Sequence, residues 1–522
     1  MKQKLQKLVS CPLFYGLILE ILLILLYFSN LNLKLNSLGI YQNKYKFVFL
    51  LVSISICTIL FLLLYFYNKN KKIKYDKLFL IVSIILGTFY LFISPLFTGS
   101  DEHNHFYRIY EITDGVLVTP AKDVIGSELP GSLYKTFING SNEVVNRNVN
   151  IKYGDLKDMY KIPLNKEVKE QYGIGYEKEY SNTALYSPLQ YFPQIVGMFV
   201  GKVLNLSPYL LGMFARLSNL IFYIAICTFA FKKLTKCKTL AFILMTSPTI
   251  LSNATTLSAD AFTNSLVFLF ISCILYYCSN KQELDTKRKI LLLFLSIMLA
   301  SCKIVYLPLV MFLYLIPTDC FKTNKHKCLF IIICLMMAVI FGFGWMHFTG
   351  QYFDTYYVNT QTQKNAILSN PFHYMIVVIR TYCQEFWNLL GNIFAGNNMY
   401  HSQLEIYSIV SFVYVILAVA SILRENQKSY FSLKQKIFIV AVALIVIALI
   451  STAIYIQCTA NFIELNHSTI VGLQGRYFIP IILVLTMIVG NINFKINDKL
   501  LVSSSILMQI PVLLTMLVRF MI

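Results

Sequence analysis

Acidic residues are scarce in this chain, with 25 Asp and Glu among 522 residues against 45 Lys and Arg. Charged residues make up only 13% and hydrophobic ones 57%. Soluble domains carry about 25% charged residues, so an ordinary soluble globule is excluded. Paired cysteines are also missing. The twelve cysteines are scattered singly and none lies between residues 98 and 185, which leaves neither a disulfide framework nor a CxxC metal knuckle. There is no GxSxG or HExxH motif, so two common routes to hydrolysis are absent.

What the chain does have is long apolar runs. About 20 apolar residues cross the ~30 Å hydrocarbon core as a helix, and about a dozen such runs are separated by short polar stretches. The expected class is an all-α polytopic membrane protein; β-barrel, coiled-coil and disordered classes do not fit. The net charge of +20 sits in short inter-helix loops, where the positive-inside rule and anionic lipid explain it better than nucleic acid does. The basic loops are Lys2 to Lys7, Lys69 to Lys77, Lys232 to Lys238, Lys281 to Lys289, Lys322 to Lys327 and Arg424 to Lys436, all expected in the cytoplasm. The abundance of Lys, Asn, Ile and Tyr points to an AT-rich bacterial genome, hence a bacterial plasma membrane.

These loops divide the chain. Residues 1–75 form a two-span extension with an uncleaved lead sequence, and 76–97 a third span. Residues 98–206 form an extracytoplasmic, α-rich loop domain, 207–348 a block of transmembrane helices, 349–402 a second external segment, and 403–522 the C-terminal spans. The total expected is about thirteen crossings. Residues 98–185 hold 13 of the 25 acidic residues against 10 basic ones, so this segment is slightly acidic while the remainder carries the positive excess. Residues 186–206 are apolar but carry Pro188, Pro193 and Lys202, and read as an amphipathic or re-entrant helix rather than a crossing.

Chemistry-bearing residues collect at outer ends. Ser100 as N-cap and Gly115 as C′ residue predict a surface helix over 101–114. Asp101 and Glu102 then occupy its first turn, where the helix dipole favours carboxylates. Asp101, His105 and Arg108 share one face, with Phe106, Ile109 and Tyr110 turned to the membrane interface. The group offers a general base, and Asp101 with His105 is a candidate pair of ligands for a divalent metal ion; dipole complementation by the two acids is the plainer alternative. Arg476, at the mouth of a span, is a phosphate contact or a snorkelling side chain. Asp260 is a paired carboxylate or a helix cap, and Lys303 a further phosphate contact. Glu20, inside the first span, has no evident partner.

The ordered set Asp101-Glu102-x-x-His105-Phe106-x-Arg108, Tyr186-Ser187-Pro188-Leu189-Gln190-Tyr191, Ala215-Arg216-Leu217-Ser218-Asn219, Ser258-Ala259-Asp260-Ala261 and Gln474-Gly475-Arg476-Tyr477 resembles the bacterial membrane-protein family DUF2142. That family is similar in layout to the GT-C class of integral-membrane glycosyltransferases. Two spans precede the acidic motif here, whereas GT-C enzymes generally place it after the first. The resemblance implies a GT-C-like bundle and inverting transfer of a sugar from a polyprenyl-phosphate-linked lipid to a cell-envelope glycan acceptor. It puts a general-base or metal-organising role on Asp101 and Glu102. Departure of the lipid phosphate would be stabilised by Arg476 and Lys303, or by a divalent ion, with Tyr186 and Gln190 lining the groove. A transporter or flippase for a lipid-linked saccharide is the rival expectation.

Overall fold

A computed structural model describes residues 12–38, 43–69, 74–121, 125–138, 151–173, 178, 180–356, 359–396, 408–490, 492 and 494–521. The first ten residues, expected to lead into the first span, lie outside the described residues.

Among the described residues, eight helices are long and apolar enough to cross a membrane. They are Ile18–Ser37, Asn43–Lys69, Tyr75–Ile93, Pro208–Lys233, Asp260–Asn280, Asn324–Gly350, Leu433–Phe462 and Asp498–Met521. Several of the other expected crossings are shorter elements: the region 239–252 is two short helices, Lys238–Met245 and Pro248–Ala254, and 303–317 is a 3-10 helix over Ile304–Leu315. Pro308 inside that helix has no amide proton to donate, consistent with a break from the α-helical ladder. The protein is an all-α, multi-pass membrane protein.

Burial orders the bundle. In the Asp260–Asn280 helix 94% of the apolar window is buried, against 17% in Asn324–Gly350. The first is therefore the central post, and the second presents its side chains to lipid. Packed around the post are Pro208–Lys233, Thr286–Cys302, Ile304–Leu315 and Ile479–Ile488. The first two spans pair with one another and with the C-terminal Gln509–Met521 helix, which also contacts Tyr75–Ile93.

Residues 186–206 form a 3-10 turn, Pro188–Tyr191, and a helix, Phe192–Val203. Twelve residues rise only about 18 Å, too little to cross the hydrocarbon. The helix folds back along Pro208–Lys233 and touches Glu102–Thr113. Lys202 near its end donates to the carboxylate of Asp114 (2.7 Å) and the carbonyl of Tyr110 (3.1 Å).

The segment after Ile93 has its own apolar core, including Phe97, Phe106, Tyr107, Leu133, Met159, Tyr172 and Tyr180. It also contains a two-stranded antiparallel ribbon, Glu128–Pro130 against Lys169–Gln171, which the expectation of an α-rich segment did not include. The predicted helix runs over Glu102–Thr113. Gly115, at φ +91°, ends it in a left-handed C′ conformation. Its amide and that of Val116 bond back to the carbonyls of Ile112 and Glu111, which is the pattern of a Schellman cap. The expected amphipathic surface position is overturned, because every residue from Glu102 to Ile112 is buried. The helix is enclosed by the Ser181–Ala184 helix, the Pro188–Tyr191 turn and the Phe192–Val203 helix.

Candidate functional site

The two acids of the motif part company. Asp101 occupies the N-cap position with φ +52° and ψ +24°, a left-handed conformation that Asp tolerates better than most residues. Its side chain is half-buried. Glu102 turns into the protein at 1% exposure and meets Arg216, itself fully buried, in a bidentate pair at 2.6 and 2.5 Å. Its two oxygens also accept the amides of Gly99 (2.9 Å) and Leu257 (3.0 Å). The Arg216 guanidinium further donates to the carbonyls of Ser94 (2.8 Å) and Pro95 (2.9 Å). So satisfied and so enclosed, Glu102 braces three chain segments.

Arg108 is enclosed likewise. It is fully buried and bonds Glu111 at 2.6 Å and the carbonyl of Leu117 at 2.5 Å. Glu111 also accepts from Thr119, Ser127 and Tyr180. This network stabilises the loop region, with Arg108 Nε left without a hydrogen bond.

A second cluster gathers residues from distant parts of the sequence. Asp260 stands in the first turn of the central helix. Lys303, the residue following Thr286–Cys302, bonds one of its carboxylate oxygens. Arg476 Nε lies 3.4 Å from the other oxygen. Their side chains are 11, 18 and 12% exposed. Arg476 therefore points inward instead of snorkelling, and Asp260 has ion-pair partners as well as a helix-terminal position. Gly475 makes this placement feasible, since a Cβ there would lie 2.3 Å from the carbonyl of Leu389 and 2.7 Å from the amide of Ile393. The Tyr477 ring lies 5.0 Å from the Lys303 ammonium and 5.4 Å from the Arg476 guanidinium, within cation–π range. Tyr306 donates to the carbonyl of Tyr477 at 3.0 Å.

His105 joins this cluster to the loop region. Its Nδ1 is 2.6 Å from the hydroxyl of Tyr191, and its ring is 6.1 Å from that of Tyr186. Burial, the largest influence, holds the imidazole down at about 4. The charges of Asp101, Asp260 and Glu102 oppose that effect and Arg476 adds to it, so the ring is neutral near pH 7. Asp101 acts electrostatically on Arg476 and His105, which puts the motif acid and the Asp260 cluster in one electrostatic neighbourhood.

Some polar atoms in these elements lack hydrogen bonds. Gln190 Oε1, Gln474 Oε1 and Arg476 Nε are all enclosed without one. Buried polar atoms are normally paired, so Gln190 and Gln474 each keep an unused acceptor, whereas Arg476 Nε faces the Asp260 carboxylate. Among the described residues, no three His, Cys, Asp or Glu side chains gather to hold an ion, and Asp101 with His105 supplies two donors, where the usual sets have more.

The sequence motifs thus meet around two ion pairs, although no local pattern paired Glu102 with Arg216 or Asp260 with both cations. The Ala215–Asn219 motif carried the signal for Arg216, without a role. Tyr477 stood in the Gln474–Tyr477 motif without a role, and Tyr306 had no signal beyond its aromatic character. No curated protein and no solved structure matches the chain significantly. Residues 84–485, which hold all of these motifs, match the family model described as "Predicted membrane protein (DUF2142)", and the chain belongs to that family.

Proposed function

We propose that the protein is an inverting membrane glycosyltransferase with a GT-C-like bundle of about thirteen crossings. It takes a sugar from a polyprenyl-phosphate-linked donor and delivers it to a cell-envelope glycan or glycopolymer at the extracytoplasmic face of the bacterial plasma membrane. The observation that carries this reading is the Asp260–Lys303–Arg476 cluster lying in electrostatic range of Asp101.

In the proposed step, the Asp101 carboxylate accepts the proton of an acceptor hydroxyl as that oxygen bonds to the anomeric carbon. The bond from the anomeric carbon to the phosphate oxygen breaks, and its electron pair leaves on polyprenyl phosphate. Lys303 and Arg476 stabilise that charge. Gln190 and Tyr186 contact the sugar. Asp260 holds the two cations together despite their mutual repulsion.

A transporter or flippase for a lipid-linked saccharide is the second reading. It is favoured by the π-helical break at Tyr455–Thr459 and the 3-10 stretch at Ile304–Leu315, since interrupted helices are common in transporters. Vesicles containing the full chain, a labelled polyprenyl-phosphate sugar and envelope glycan separate the two. Label incorporated into glycan, and lost in Asp101→Asn, supports transfer. Movement of intact donor across the bilayer without incorporation rejects it in favour of transport.

A further inference from the structure

A groove away from the Asp260 cluster brings the second and third spans together with the C-terminal helix. The Asn43–Lys69 and Tyr75–Ile93 helices and the C-terminal Gln509–Met521 helix enclose a cavity of about 500 Å³. Its walls include Val48, Phe89, Phe92 and Leu517, with Lys44 and Tyr153 also lining it. That volume lies within the usual range for small-molecule pockets of ~300–1,000 Å³. Val48 is 46% and Phe92 69% exposed on the span surfaces, so the slot opens toward the hydrocarbon.

One end is polar and basic. Lys44 stands in the first turn of its helix. Tyr153 donates to the carbonyl of Ile93 at 2.6 Å, marking the loop-region end of the neighbouring span. Lys152, beside Tyr153, and Arg519, beside the Leu517 wall, are close enough to act on each other's charge. Asp155 accepts the amide of Lys152 at 2.9 Å, with Asp158 near enough to act on its charge. An apolar slot with cations at its headgroup end is complementary to an anionic lipid, the acyl chain in the slot and the phosphate at the lysine. Lys44, Val48 and Leu517 lie outside the 84–485 family match, whereas Phe89, Phe92 and Tyr153 lie inside it.

We infer that this groove is a site for an anionic phospholipid, separate from the proposed sugar-transfer site. The full chain, purified in detergent, is equilibrated with equal amounts of phosphatidylglycerol and phosphatidylcholine of matched acyl chains, and the retained lipid is read by native mass spectrometry. The wild type is expected to keep one phosphatidylglycerol in clear preference. Lys44→Gln, a change at an exposed position, should cut that preference about fivefold, as expected for one basic side chain near a headgroup. Val48→Trp should lose both lipids while keeping an unchanged melting temperature. Equal retention of the two lipids by the wild type, or an unaltered preference in Lys44→Gln, overturns the inference. So does one-for-one displacement by a polyprenyl phosphate, which would give the groove to the donor lipid. None of these results depends on sugar transfer being detected.

Discussion

Glu102 and Arg216, 114 residues apart in sequence, form a bidentate ion pair at 2.5 and 2.6 Å with essentially no exposure. The pair ties the turn after Ile93 and the loop at Leu257 to the Pro208–Lys233 helix. It fixes where the Asp101 backbone must emerge. Because Arg216 also donates to the Ser94 and Pro95 carbonyls, removing either partner strands several buried groups at once.

Arg216→Ala should therefore cost about 3–5 kcal/mol of stability, the usual penalty for leaving one buried charge without its partner. Thermal unfolding of the detergent-solubilised protein checks this. Glu102→Gln keeps the shape but loses the charge, and should lower the melting temperature while leaving measurable activity in the folded fraction. A fully folded Glu102→Gln with no activity would assign a chemical role to that carboxylate.

Asp101→Asn isolates the other acid. Asn tolerates the left-handed backbone at φ +52° as Asp does, so this substitution changes charge without adding strain. Sugar transfer should fall by about 100-fold or more, the usual contribution of a general base, with the melting temperature unchanged. Transfer at the wild-type rate would remove Asp101 from the chemistry.

The sequence made local features legible and hid those that depend on tertiary pairing. The helix ends lie within one residue of the expected 101–114, and Gly115 closes it as expected because that cap is local chemistry, but the expected N-cap Ser100 is replaced by Asp101, which makes no side-chain cap hydrogen bond. The burial of the helix was missed. The periodicity marks which face is apolar, but not that the 180–203 region folds over the polar face as well. The inward turn of Arg476 was equally invisible, since its partner Asp260 lies more than 200 residues earlier and only the packed bundle joins them.

Asp260→Asn should test that junction. With the carboxylate gone, the Lys303 and Arg476 side chains face one another without the charge between them. Repulsion should spread the pair and disorder the phosphate contact. The expected outcome is a KM for donor raised about tenfold or more, with a smaller change in kcat. Asp260→Glu should recover part of the loss, because it restores the charge at the cost of one extra methylene. Unchanged donor KM in Asp260→Asn would detach the cation pair from phosphate binding.

The last prediction concerns pH. His105 titrates at about 4 in the folded protein, held down chiefly by burial, and near its ordinary ~6.5 when unfolded. Between those values the unfolded chain binds a proton that the folded chain does not, so acidification favours unfolding. The contribution of His105 to stability is fully present above about pH 6.5, declines as pH falls to about 4 and is constant below that. Over this window the loss approaches ~3 kcal/mol, an upper figure for a group with a hydrogen bond to Tyr191 and carboxylates nearby. Chemical unfolding of wild type and His105→Gln at pH 4.5 and pH 7.5 checks it: the variant should lose clearly less stability on acidification. Equal losses in both would mean that the imidazole is protonated in the folded state, as a solvent-connected ring beside Asp101 would be.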